Sequence, residues 1–170
     1  MEQQAVRQTL IEFEGPDAVR GWQIVNDTVM GGVSESRLEP TDSGTAVFTG
    51  SVSLENYGGF ASVRSPAGRR DLSDFEGLVV RVRGDGKTYK LGVRTDARFD
   101  GVVWQASFGT QADAWQQVRV PFGEFVPTYR GRVLEGRGPL DRSAVMSFSF
   151  QISDKQEGPF ALEIAWLGAY

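Results

Sequence analysis

The chain contains no cysteine and no histidine among its 170 residues. The first absence excludes disulfides, thiolate nucleophiles and cysteine-based metal centres. The second removes the commonest general base and the commonest transition-metal ligand. Lysine is scarce as well, with three residues against fifteen arginines. No apolar run approaches the length of a membrane span. The opening residues MEQQAVRQTLIEFEG lack the basic and apolar segments of a secretory leader. These features predict a cytoplasmic protein with no membrane span. The formal net charge is −4, against the basic balance expected of a general nucleic-acid binder, so no nucleic-acid partner is expected. Arginine suits bidentate recognition of carboxylate or phosphate, although base composition is the preferred explanation of the bias.

What the chain does have is alternation. Leu78, Val80 and Val82 oppose Arg81 and Arg83, while Tyr89, Leu91 and Val93 oppose Lys90 and Arg94. Trp104, Ala106 and Phe108 oppose Gln105 and Ser107, and Val118 and Val120 oppose Gln117 and Arg119. Met146, Phe148, Phe150 and Ile152 oppose Ser147, Ser149 and Gln151; Phe160, Leu162, Ile164 and Trp166 oppose Glu163. A period of two is the signature of half-buried strands. Glycine is abundant at 21 residues, and Gly84-Asp85-Gly86 between two alternating runs reads as a tight hairpin turn. Only Asp71 to Phe75, Phe122 to Phe125 and Asp141 to Val145 read as short helices. The prediction is an all-β domain over residues 1–170, a β-sandwich or jelly roll of about ten strands with little helix. TLIEF and FALEIAWLGAY, at the two ends, are expected to pair in one core. Residues 127–140, rich in Gly and Arg, read as one ordered surface loop.

Two blocks stand out as binding candidates. WQIVNDTVMGGVSES brings Asn26 and Asp27, which bond well to turn backbone, together with Met30, Gly31 and Gly32. ENYGGFASVRS repeats the pattern with Asn56 before a second Gly-Gly, then a strand carrying Arg64. The first block is either a partner loop held by the double glycine or a structural loop whose Asn and Asp satisfy buried backbone; structure is slightly favoured. A second candidate is the outward face of the middle strands. Arg81, Arg83, Lys90, Arg94, Gln105, Gln117, Arg119 and Gln151 form one basic, amide-rich surface if their strands share a sheet. A solvated sheet exterior is the plainer account, and Arg81 and Arg83 equally suit cross-strand pairs with carboxylates.

NDTVMGGVSES, GGFASVRS, LVVRVRGDGKTYKL, VPFGEFVPTYRGR and SDKQEGPFALEI, in that order, resemble the signature blocks of the complex I intermediate-associated protein family. The resemblance runs from about Phe13 to Tyr170. It implies a galactose-binding-like jelly roll, similar to carbohydrate-binding modules, and a chaperone-like assembly factor rather than an enzyme. It supplies no catalytic residues. The leading expectation is a non-catalytic module with a protein partner, and the alternative is a carbohydrate or small-ligand module. A carboxylate-based hydrolase using Asp27, Asp85 and Asp154 ranks third, since nothing in their spacing shows a catalytic pair. No cofactor is expected. A structural calcium ion would call on Glu14, Asp27, Asp154 and Glu163, but ordinary surface and capping carboxylates are the preferred reading.

Overall fold

The computed structural model describes residues 6 and 8–170 of the chain. The alternating runs become strands of two antiparallel sheets. One sheet runs β3 (Glu35–Pro40), β4 (Ala46–Val52), β13 (Gly158–Ala169), β6 (Gly77–Arg83) and β9 (Trp115–Pro121), with β1 (Gln8–Glu12) also paired to β13. The other runs β11 (Arg132–Val133), β10 (Val126–Tyr129), β8 (Val103–Gly109), β7 (Thr88–Arg94), β12 (Ser147–Ile152), β5 (Ala61–Arg64) and β2 (Gln23–Ile24). Their inner faces meet in one core of Phe48, Leu78, Leu91, Phe148, Phe150 and Leu162, each with at most 1% of its surface exposed. This is a two-layer sandwich in which each strand turns apolar residues inward and polar residues outward.

The chain ends pair as expected, with Gln8 opposite Ala169 and Glu12 opposite Trp166. Strand β13 is the axis of its sheet: its first half pairs with β4, its second half with β1, and β6 lies along its other side. Its phase changes midway, because the register against β6 shifts between Ile164 and Trp166. Residues 160, 162 and 164 are buried before the shift, and 167 and 169 after it. Trp166, read from alternation as a core residue, is therefore only half-buried, because one extra residue in a strand moves every later side chain to the opposite face.

Thirteen strands are seen among the described residues, against about ten expected. The additions are short. Strands β2 and β11 hold two residues each, too few to show a period. Strands β10 and β11 lie in or beside the segment read as a loop from 127 to 140. Of the three short helices expected, Phe122–Glu124 and Arg142–Ala144 form single 3-10 turns, while 71–75 is a hydrogen-bonded turn.

The turn between β6 and β7 has a structural task. The Asp85 carboxylate accepts from Lys87 N at 3.1 Å, the buried Tyr89 hydroxyl at 3.0 Å and Ala161 N of β13 at 2.9 Å. It thus ties one sheet to the other. Burial first, and the Asp85 charge second, hold the Tyr89 hydroxyl far above the usual tyrosine range. Tyr89→Phe should cost about 1 kcal/mol at neutral pH, the net worth of one hydrogen bond. The folded chain keeps this proton while an unfolded tyrosine releases it near pH ~10. The Tyr89 contribution is therefore complete below about pH 10 and lost as the pH rises beyond it. The stability gap between wild type and Tyr89→Phe should narrow there, as urea titrations at several pH values will show. Arg94, whose lowered value gives the opposite slope in that range, is common to both proteins and cancels from the comparison.

Candidate functional site

The two Asn…Gly-Gly blocks form one unit built around Asp27. The Asp27 side chain is buried in a 3-10 turn, Asp27–Met30. Its carboxylate accepts from Ser34 N at 2.9 Å and Ser34 Oγ at 2.5 Å. It also accepts from Gly59 N at 2.7 Å and Phe60 N at 3.3 Å, across 32 residues of chain. Glycine is needed on both sides: a Cβ on Gly32 or Gly58 would overlap the carboxylate. Gly31 caps the turn with φ at 88°, a conformation that glycine adopts freely. Asn26 Oδ1 accepts from Ser36 Oγ at 2.8 Å and Ser62 N at 3.2 Å, which ties the block to β3 and β5. The buried Asn26 and Asp27 side chains thus hold backbone in place. Asn56 and Tyr57 project from the anchored loop, exposed, with φ at 55° and 59°. The Met30 backbone belongs to the turn, and its side chain lies outside the described residues.

The expected single basic face is divided between the two sheets. Arg81 and Arg83 lie on β6, and Gln117 and Arg119 on β9. Lys90 and Arg94 lie on β7, Gln105 on β8 and Gln151 on β12, in the other sheet. The condition that these strands be neighbours is not met, because alternation reports which side of a strand is apolar and not which sheet the strand joins. On the first sheet Arg83 reaches Glu163 across β13 at 2.5 and 3.1 Å. Arg81 and Arg83 lie 5.1 and 5.2 Å from the Trp115 ring, and Arg119 lies 5.5 Å from that of Tyr170. These arginines are engaged locally, as cross-strand pairs predict.

The seven-stranded sheet carries a continuous row of mainly polar residues. Across its middle run Gln23, Arg64, Ser149, Gly92, Gln105 and Val126, each opposite the next on a neighbouring strand. Gln105 Nε2 donates to Gln151 Oε1 at 3.2 Å, and Gln105 Oε1 accepts from Thr128 Oγ1 at 3.2 Å. Lys90 pairs with Asp154 at 3.2 Å. A side chain at Gly92 would collide with the Ser149 hydroxyl, so the row dips at its centre.

At one end of this face the loop 95–102 and the sheet border an open cavity of about 390 Å³. Arg64 and Arg94 both line it, with Gln23, Ser147, Asp96 and Phe99. Arg64 Nη1 donates to Phe99 O at 3.1 Å, and its guanidinium lies 5.1 Å from the Phe99 ring centre. Arg94 Nη1 donates to Gly101 O at 3.2 Å. Burial first, and the Arg64 charge second, bring Arg94 down to about 10; burial also lowers Arg64. Among the described residues neither arginine forms an ion pair. Individually Arg64 and Arg94 were visible in the sequence. The segment TDARFDG that joins them was missed, since it carries no alternation.

Among the described residues no three acidic side chains gather as a metal site. The four carboxylates considered for calcium are dispersed. Asp27 is enclosed by its own loops, Asp154 pairs with Lys90, Glu163 binds Arg83 and the Thr45 hydroxyl, and Glu14 borders a separate cavity beside Trp166. No described helix is long and apolar enough to cross a membrane.

The two-sheet jelly roll is an architecture shared with solved structures of other proteins. The family 11 carbohydrate-binding module of the cellulase Lic26A-Cel5E from Clostridium thermocellum shares this fold: TM-score 0.69, 17% identity, 95% of this chain and 96% of that one covered. An agarase domain superposes with TM-score 0.63 at 13% identity, covering 95% of this chain and 24% of the agarase. The chain itself belongs to the Complex I intermediate-associated protein 30 family, whose pattern matches residues 11–164. It is 30% identical to the mitochondrial Complex I intermediate-associated protein 30 of Mus musculus, over 94% of this chain and 55% of the mouse protein. It is 28% identical to the Drosophila melanogaster counterpart, over 94% of this chain and 61% of that protein. The chain thus spans somewhat more than half the length of these curated relatives.

Proposed function

We propose that this chain is a non-catalytic module that binds a protein partner, an intermediate of respiratory complex I, through the polar face of its seven-stranded sheet. The observation that carries this reading is the extent of the family match. The shared residues, 11–164, are the jelly roll itself, which supports assigning an association common to the family to this domain. The local chemistry agrees. The chain has no histidine or cysteine, and the carboxylates considered for catalysis hold backbone or basic groups. Polar groups are arrayed on a rigid sheet, as recognition without chemistry requires.

Carbohydrate binding is the second reading, favoured by the fold shared with the family 11 module. The face argues against it, because a sugar ring stacks on an exposed aromatic plane. The central row offers amide, hydroxyl and guanidinium groups, and the exposed Phe99 ring beside it has one face against Arg64.

The test is affinity capture with the tagged chain from cells of its source organism. Complex I subunits should be enriched over capture with a chain in which Arg64, Lys90 and Arg94 are all replaced by Gln. Equal recovery with both chains, or a glycan array that yields a saturable sugar ligand while no subunit is captured, would refute the assignment.

A further inference from the structure

The cavity beside loop 95–102 is lined by three cationic side chains, Arg64, Arg94 and Arg98. Arg94 Nε is buried and has no hydrogen-bond partner among the described residues. A buried N–H without an acceptor is costly, and folds seldom retain one without a use. Arg64 is held against Phe99 by both its carbonyl and its ring. Most of the ordering cost of a guanidinium is therefore met before anything binds. Two like charges lining one concavity also repel, and the Arg64 charge is felt at Arg94. An anion placed between them would relieve that repulsion.

The lining narrows the class of anion. A carboxylate offers two coplanar oxygens that match the guanidinium fork. Asp96 also borders the cavity and offsets part of the charge of Arg64, Arg94 and Arg98. Pro66, Ala67, Ala97 and the Phe99 ring supply apolar wall, suited to a short hydrocarbon stem. The volume of about 390 Å³ lies within the range of small-ligand sites.

We propose that Arg64 and Arg94 form a binding site for a single carboxylate carried on a short aliphatic stem, presented by the partner protein as an acidic side chain or its C-terminus. The pocket chemistry stands on the geometry alone, and the source of the carboxylate rests on the partner-binding reading.

The experiment follows the arginine Nε–Hε resonances of the intact ¹⁵N-labelled chain, with Arg64→Gln and Arg94→Met assigning the two signals. The probes are N-acetylalanine, N-acetylalaninamide and methyl phosphate. Both signals should move saturably with N-acetylalanine, with a dissociation constant on the order of 1 mM for so small a ligand. The amide should leave them in place, and methyl phosphate should bind more weakly. Arg94→Met should weaken N-acetylalanine binding about tenfold, the loss of one charged contact. If that variant fails to fold, Arg64→Gln at its partly exposed position makes the same test. No saturable shift with the acid, an equal response to the amide, or tighter binding of methyl phosphate would each overturn the carboxylate assignment. If N-acetylalanine binds but Arg94→Met captures as much complex I subunit as wild type, the partner does not supply the carboxylate and that half of the inference falls.

Discussion

Replacing Asp27 with alanine is expected to lower the unfolding free energy by about 3 kcal/mol, because charged hydrogen bonds each contribute roughly 1.5–3 kcal/mol and several donors lose their acceptor at once. The gross loss is larger than the net, since alanine also removes the cost of burying a carboxylate. For a chain of this size the midpoint of thermal unfolding should fall by about 6–12 °C, read by circular dichroism. Asp27→Asn keeps one oxygen and should lose about half as much. The neighbouring glycines provide an internal check. Gly58→Ala alone drives a methyl group into the Asp27 carboxylate and should cost roughly 1–3 kcal/mol. In the Asp27→Ala background that collision is gone, so the double variant should be clearly more stable than the sum of the single losses implies. Strict additivity would mean that Gly58 and Asp27 do not touch.

The same unit shows what was legible in the sequence. Asn26-Asp27 with Gly31-Gly32, and Asn56 with Gly58-Gly59, were conspicuous as paired motifs. That the second closes onto the first was not readable, because the contact joins residues 32 apart through a side chain and a backbone N–H. Strand faces were readable wherever a run was long enough to show its period, as for Tyr89–Val93 and Phe148–Ile152, although Met146, read as part of the latter run, lies before the strand and outside the core. Sheet membership was not: Arg83 and Lys90 sit in identical patterns on consecutive strands, yet β6 and β7 belong to different sheets. The phase change before Trp166 left no mark either, since Ala165 is as ordinary in a regular strand as in a bulge. The family resemblance carried across nearly the whole fold, because its blocks combine strand residues with the turn and loop residues that alternation ignores.

Arg64 and Arg94 illustrate a further limit. Each was a plausible outward arginine on its own strand. Their relation depends on β12 lying between β5 and β7, with Ser147 and Ser149 small enough to leave both guanidinium groups room. It depends also on a loop whose main-chain carbonyls, at Phe99 and Gly101, receive one donor from each arginine. Carbonyl acceptors exist at every residue, so composition cannot single these out.

Strand β12 supports that cavity from below, and its core residue gives the largest effect expected here. Phe150 is fully buried, opposite Val63 of β5 and Leu91 of β7. Phe150→Ala should cost about 3–5 kcal/mol, from lost transfer energy together with the void left between two packed sheets. That corresponds to a fall of about 6–20 °C in the unfolding midpoint, measurable by calorimetry. Phe150→Leu, which fills most of the space, should cost about 1 kcal/mol. Phe150 faces the core, whereas Ser149 and Gln151 face the polar surface, so the variant removes packing without removing any polar group from that surface. Where Phe150→Leu remains folded, the Arg64 and Arg94 Nε–Hε signals should respond to N-acetylalanine as in wild type. A variant that keeps its stability but loses that response would show that the arginines are positioned by core packing, and not by the hydrogen bonds to Phe99 and Gly101.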